Sequence, residues 1–314
     1  MRQAVLTAKG FDLRDVEVPS PGPGQVLVRS KGLGICEGDV FRYRQFMDSR
    51  PGPKDEAWMG HEGSGVVVKV GKGMKSVAKG DVVTALGGPY AEQFVIAEDN
   101  LVKVPEGLDV RLSLGEPVAC CVHAAGRFGI RLGDRVALVG AGFMGQMCLQ
   151  LARLEGAAQL CSFDLMPWRL PVARELGADV VVDPSGKEPK EVLAEVGEFD
   201  VVIEAAGTQS SVDLATALVR QHGRIVLVGY HQTGGGMRGV NMQQWNFKAI
   251  EVVNGHVRNS WEKAQAMAAG VRLIAAGRLR VEPLVSFYEF GNIGAAFRDL
   301  VARKEGLFKA LLVP

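Results

Sequence analysis

Three groups of residues carry chemistry in this chain. The first is Gly140, Gly142 and Gly145, spaced G-x-G-x-x-G within RVALVGAGFMGQMCLQLAR, residues 135–153. Glycine at 140 permits a tight turn, at 142 it lets the backbone approach a pyrophosphate, and at 145 it lets helix and strand pack closely. Phe143 and Met144 open the following helix, whose unpaired N–H groups and positive dipole end attract phosphate. The second group is Asp164 with Arg169. Asp164 falls close to the spacing of about 20 residues at which a carboxylate accepts the ribose hydroxyls. Such a carboxylate repels a 2′-phosphate, so the expected cofactor is NAD, although Arg169 nearby works in the opposite sense. The third group is Cys36 in GLGICEGDVF, His61 and Glu62 in MGHEGSG, and Glu116 in LGEPVACCVHA. A thiolate, an imidazole and a carboxylate suit zinc, and three protein ligands plus water is the open arrangement of a catalytic zinc. The spacing alone leaves a structural cysteine and a hydrogen-bonded histidine as an equal alternative.

These residues need elements to position them. Val136–Val139 is a short apolar run that reads as a strand buried on both faces. The apolar spacing of Met144, Met147, Cys148 and Leu151 predicts the helix after the glycine turn. Strand, turn and helix together favour nucleotide binding over an α/β domain that binds nothing. From about residue 118 strands and helices alternate: 179–183, 200–204 and 224–229 read as further parallel strands, with 173–176 and 212–219 in helices between them. Ligands bind such a sheet at the carboxyl ends of its strands. Ala205, Ala206 and Gly207, with Gly229 and Tyr230, fall at those ends and are expected to line the cofactor groove. Residues 1 to about 115 instead show short alternating runs (25–30, 65–70, 81–85) between glycine- and proline-rich turns, the pattern of an antiparallel β domain. After 257 a helix (261–276), a strand (284–287), a helix (293–304) and a strand (308–313) are expected. Gly234–Gly236 reads as a mobile loop without chemistry.

The 314 residues suggest two domains. A net charge of +1 gives no electrostatic case for nucleic acid or a membrane surface. No apolar run reaches spanning length. Five cysteines argue against a disulfide scaffold, and the expected location is the cytoplasm.

The order of motifs resembles the zinc-dependent medium-chain dehydrogenases, the family of alcohol, sorbitol and threonine dehydrogenases. The likeness runs through G-I-C at 34–36, Gly60-His61-Glu62, Gly80-Asp81-Val82-Val83, Glu116-Pro117, the glycine fingerprint and 201–207. It implies a chaperonin-10-like β domain, residues 1–117 and 258–314, interrupted by a Rossmann NAD-binding domain with a doubly wound parallel sheet, residues 118–257. It further implies Cys36, His61 and Glu116 as zinc ligands, with Glu62 close enough to enter coordination. Asp39 would orient the ligand histidine, and Lys309 would pair with Glu62. Cys120 and Cys121 read as packing residues held in reserve. The activity implied is hydride transfer between NAD(H) and a secondary alcohol or polyol. A homo-oligomer joined through 240–257 is implied as well.

The chain also departs from the family pattern. No cysteine lies between 37 and 119, so one catalytic zinc and no structural zinc are expected. Gly38 stands where a serine or threonine usually relays the substrate proton, and Phe41 where the relay's histidine falls. The substitutes the sequence offers are a water held by Glu62 or Glu37, or one of Tyr43 and His123. Phe41, Phe46 and Trp58 would supply an apolar pocket, and Arg42 and Arg44 a solvated face or an anion contact. A metal-free reductase of the same superfamily and a redox sensor without turnover are the alternatives.

Overall fold

A computed structural model describes residues 1–52 and 54–314. Its contacts divide the chain into two units, Met1–Ala119 with Asn259–Gly277 and Val281–Pro314, and Cys120–Arg258 with Arg278–Arg280. The first boundary falls inside helix Gly115–Ala125. Residues 278–280 join the second unit because the backbone of Arg280 donates to and accepts from the buried amide of Gln150, at 2.7 and 3.0 Å. A buried amide needs such partners.

The first unit is built on a seven-stranded sheet in the order Val285–Glu289, Lys309–Val313, Gln25–Gly34, Glu62–Val70, Val82–Ala85 and Leu101–Lys103, with Gln93–Ala97 also paired to Gln25–Gly34. Its inward residues alternate, as a half-buried strand requires: Val26, Val28, Val67, Val83, Phe94 and Ile96 form one core. A second core gathers Leu6, Leu33, Ile35, Tyr90, Phe297 and Leu312, so the last strand is packed with the first segments of the chain. That strand pairs antiparallel with Gln25–Gly34, Leu311 opposite Gly34 and Leu312 opposite Leu33.

The second unit is a six-stranded sheet, Val180–Val182, Gln159–Phe163, Arg135–Val139, Phe199–Glu204, Val219–Leu227 and Glu251–Asn254, parallel throughout. The order reverses on either side of Arg135–Val139, the switch point at which a doubly wound sheet opens a ligand crevice. Val139, Phe163, Val202 and Ile225 are buried in its core, explaining why these strands read as unbroken apolar runs. Val219, expected in a helix, begins a strand; helix Gln209–Leu218 ends one residue before it. No helix among the described residues is long and apolar enough to cross a membrane.

The glycine turn is tight for a stated reason. Gly140 has φ of +101°, which favours glycine. A Cβ at Gly145 would lie 1.9 Å from the Gly140 carbonyl oxygen, whereas at Gly142 the nearest atom is Arg169 Nη1 at 3.7 Å. Gly145→Ala must therefore push the helix off its strand, costing about 1–3 kcal/mol. Gly142→Ser places a good capping residue in open space and shifts the melting temperature by about a degree or less. Differential scanning calorimetry of the two variants checks the contrast.

Candidate active site

Cys36 follows the strand Gln25–Gly34 and caps helix Glu37–Asp48, its sulfur accepting from the Gly38 N–H at 3.4 Å. His61 and Glu62 enter the neighbouring strand, whose register sets Glu62 opposite Gly34. Glycine at 34 is what makes room: a Cβ there would sit 2.1 Å from Glu62 Oε2. One ligand atom from each of Cys36, His61 and Glu62 lies within 4.8 Å of the others, so the three converge from distant sequence.

The surroundings order these donors. Asp39 is buried and its Oδ2 lies 3.4 Å from His61 Nδ1, which leaves Nε2 as the nitrogen for a metal. Tyr90, also fully buried, donates its hydroxyl to the same oxygen at 2.7 Å. Burial and then the Asp39 charge hold that phenol well above its ordinary range, so it stays a donor. Lys309 reaches both Glu62 oxygens, at 2.7 and 2.6 Å. The Cys36 thiol is pushed up to about 12, first by burial and next by Glu62. Burial and the neighbouring carboxylate thus favour the neutral thiol on its own, whereas a divalent cation bound among these donors would offset their charges and make the thiolate the stable form. The donor set fits zinc in softness and in number.

Glu116 is not part of this converging set. Its carboxylate is bonded by Lys263, on helix Ser260–Ala275. The expected proton carriers and pocket residues are also redistributed. Tyr43 lies with Phe11 and Phe297 in an aromatic cluster, at 5.9 and 5.2 Å between ring centroids. Phe46 packs on the same core, and Trp58 is half exposed. Arg44 donates to the Val301 carbonyl, a structural role. Cys121 is buried, its sulfur near the Met144 main chain and sulfur, as a packing residue would be.

In the other unit Gly142 caps helix Phe143–Glu155, leaving an open approach to the helix N-terminus. Gly140 lies against Ala206, where an added Cβ would come within 2.8 Å. Asp164 ends its strand almost buried, accepting from the Ala141 N–H at 2.7 Å and the Met166 N–H at 2.8 Å. Arg169 Nη1 stands 3.4 Å from its Oδ2. The aspartate thus braces the glycine turn, a role spacing could not reveal. The loop at Gly234–Gly236, expected to be mobile, is fastened instead: Arg238 donates to the Gly207, Thr233 and Met237 carbonyls at 2.8, 2.8 and 2.6 Å. Sequence reasoning missed Tyr90, Lys263, Glu204 and His231. Tyr90, Lys263 and His231 belong to none of the motifs, and Glu204, though within 201–207, is marked only by its burial beside His231.

Residues 22–106 match the alcohol dehydrogenase GroES-like domain and 144–274 the zinc-binding dehydrogenase domain. Sorbitol dehydrogenase of Homo sapiens is 30% identical over 312 residues, covering 87% of this chain and 85% of its own length. A short chain alcohol dehydrogenase from E. coli CFT073 complexed with NADH superposes with a TM-score of 0.87 at 23% identity, over 100% of this chain and 99% of that one. A zinc-binding dehydrogenase from Sinorhizobium meliloti 1021 bound to NADP gives 0.85 at 24%, over 100% and 99%. With the converging thiol, imidazole and carboxylate in one unit and the glycine turn in the other, this chain belongs to the zinc-binding medium-chain dehydrogenases, oxidoreductases that work with zinc and a nicotinamide dinucleotide.

Proposed function

We infer that the chain oxidises a secondary alcohol or polyol to the ketone with NAD⁺ as hydride acceptor, and runs the reverse with NADH. The observation that carries it is the convergence of Cys36, His61 and Glu62 within 4.8 Å. A zinc ion held there would supply a Lewis acid that lowers the pKa of a substrate hydroxyl. A bound nicotinamide would supply the hydride acceptor for the substrate carbon, and the hydroxyl proton would be released to solvent. Cys36 and His61 would hold the metal, with Asp39 orienting the imidazole. Glu62 adds a carboxylate that Lys309 keeps from carrying an unbalanced charge. Gly38 offers no hydroxyl relay, and the 40% exposure of the His61 side chain supports release of the proton straight to solvent. One catalytic zinc suffices for this chemistry, and the cysteine-free stretch from 37 to 119 holds no second set of thiolates.

Solved neighbours hold either dinucleotide, so cofactor preference must come from this chain's own residues. Asp164 uses two of the roughly four lone-pair directions of a carboxylate on backbone N–H groups, leaving capacity for ribose hydroxyls and a charge that repels a 2′-phosphate. Arg169 stands close enough to Asp164 to share its charge with the carboxylate. A homo-oligomer is supported by the edge position of strand Glu251–Asn254 and by exposed Met242 and Phe247 nearby. A thiol ligand and five free cysteines suit the cytoplasm.

Two outcomes follow. Zinc bound per chain, read by elemental analysis after dialysis against a weak chelator, falls about tenfold or more in Cys36→Ser and Glu62→Gln. Glu116→Gln, whose partner is Lys263, retains its zinc; loss there equal to Cys36→Ser would return Glu116 to the ligand set. The wild type prefers NAD⁺ over NADP⁺ by about a hundredfold or more in kcat/KM, the effect of like charges brought together. Steady-state kinetics of Asp164→Ser show that ratio shrinking.

A further inference from the structure

Glu204 ends the strand Phe199–Glu204 with no exposed surface, yet none of the chemistry above uses it. Its Oε1 accepts from Ala206 N, Gly207 N and Ser211 Oγ at 2.9, 2.6 and 2.6 Å. Its main-chain carbonyl accepts from Val228 N at 2.7 Å and Gly229 N at 2.9 Å. One residue therefore holds both turns that leave the second half of the sheet. Those turns touch backbone to backbone: a Cβ at Gly229 would lie 2.3 Å from Gly207 N and 2.7 Å from Glu204 Oε2.

The remaining oxygen, Oε2, lies 3.1 Å from His231 Nε2. His231 Nδ1 accepts from Arg238 Nε at 3.1 Å, and Arg238 Nη2 donates to the Gly207 carbonyl at 2.8 Å. The circuit closes on itself through four links. Three are hydrogen bonds, Gly207 N–H to Glu204, Arg238 to His231 and Arg238 to Gly207 C=O, and the fourth, between Glu204 Oε2 and His231 Nε2, is an electrostatic contact without hydrogen-bond geometry. A donor at Nδ1 fixes the imidazole as the Nε2–H tautomer, the form that faces a carboxylate. It also brings a cation within reach of a buried anion through one ring. Gly229, Tyr230, His231, Asn254 and His256 line a cavity of about 320 Å³ against these turns.

The two halves of the sheet give the circuit its function. The strands 135–139, 159–163 and 180–182 carry the glycine turn and Asp164, the pyrophosphate and adenosine side. The strands 199–204, 219–227 and 251–254 form the other half, so their ends receive the nicotinamide side of a dinucleotide. We propose that Glu204, His231 and Arg238 are positioning residues that hold the turns at Gly207 and Gly229 in the shape that receives the nicotinamide ring. This rests on the dinucleotide reading given above.

The test uses the full chain and two probes. NADH carries both halves, and ADP-ribose carries the adenosine and pyrophosphate half alone. Dissociation constants are measured by calorimetry for the wild type, His231→Phe, Arg238→Met and Glu204→Gln. The amide in Glu204→Gln presents N–H toward a ring nitrogen that already bears hydrogen, so it breaks the circuit at constant shape. Each variant binds NADH about tenfold more weakly while ADP-ribose binding is unchanged, and the His231→Phe/Arg238→Met double variant is no worse than either single one. Unchanged NADH affinity, or an equal loss for both probes, overturns the proposal. A wild type that binds neither probe overturns the dinucleotide reading instead. Arg238→Lys, which keeps the charge but cannot bridge both acceptors, takes the place of Arg238→Met if that variant does not fold.

Discussion

The catalytic unit is organised around one buried ion pair. Lys309 and Glu62 are almost completely enclosed, and the ammonium reaches both carboxylate oxygens. Burial works against the lysine's charge, but Glu62 and then Cys36 more than offset it, so the ammonium is held above its ordinary range. Removing either partner of such a pair strands a charge out of water, at a cost of about 3–5 kcal/mol. The pair therefore ties the strand Lys309–Val313 to the strand that begins at Glu62. It also hands the site a carboxylate that is already balanced and already aimed. Asp39 does the corresponding work for the imidazole, and Tyr90 does it for Asp39.

The nucleotide unit solves a different problem with backbone. Its strand ends must come close enough to a flat, charged ligand to touch it with N–H groups, and any side chain at the turns would stand in the way. Gly140, Gly145, Gly207 and Gly229 are the positions where an added Cβ would strike neighbouring main chain. Charged side chains enter only behind these turns, where Asp164 and Glu204 gather N–H groups that the turns leave over.

Much of this was legible in the chain, and the boundary between legible and hidden has a physical cause. Periodicity exposed the parallel strands because both faces are buried, and the glycine spacing exposed the turn because sterics fix it locally. Cys36, His61 and Glu62 were found through resemblance, since their meeting depends on sheet register. Glu116 was expected among them; Lys263, distant in sequence, bonds its carboxylate, and its charge still acts on Cys36 and Glu62. The loop around Gly234–Gly236 looked slack because three glycines carry no side chains. Its order comes from Arg238, a residue outside the glycine run, and from a carboxylate on another strand.

The sheet of the catalytic unit has a temporal consequence. Lys309 lies near the end of the chain, and its strand fills the place beside Gln25–Gly34. On the ribosome the segments of residues 1–119 emerge before residues 309–313, so strand Gln25–Gly34 has no neighbour on that side until those residues are made. The nucleotide unit, almost wholly contiguous between Cys120 and Arg258, is released complete well before that. Hence the unit that carries the glycine turn can fold during translation before residues 309–313 are made, whereas the unit that gathers Cys36, His61 and Glu62 must wait for them.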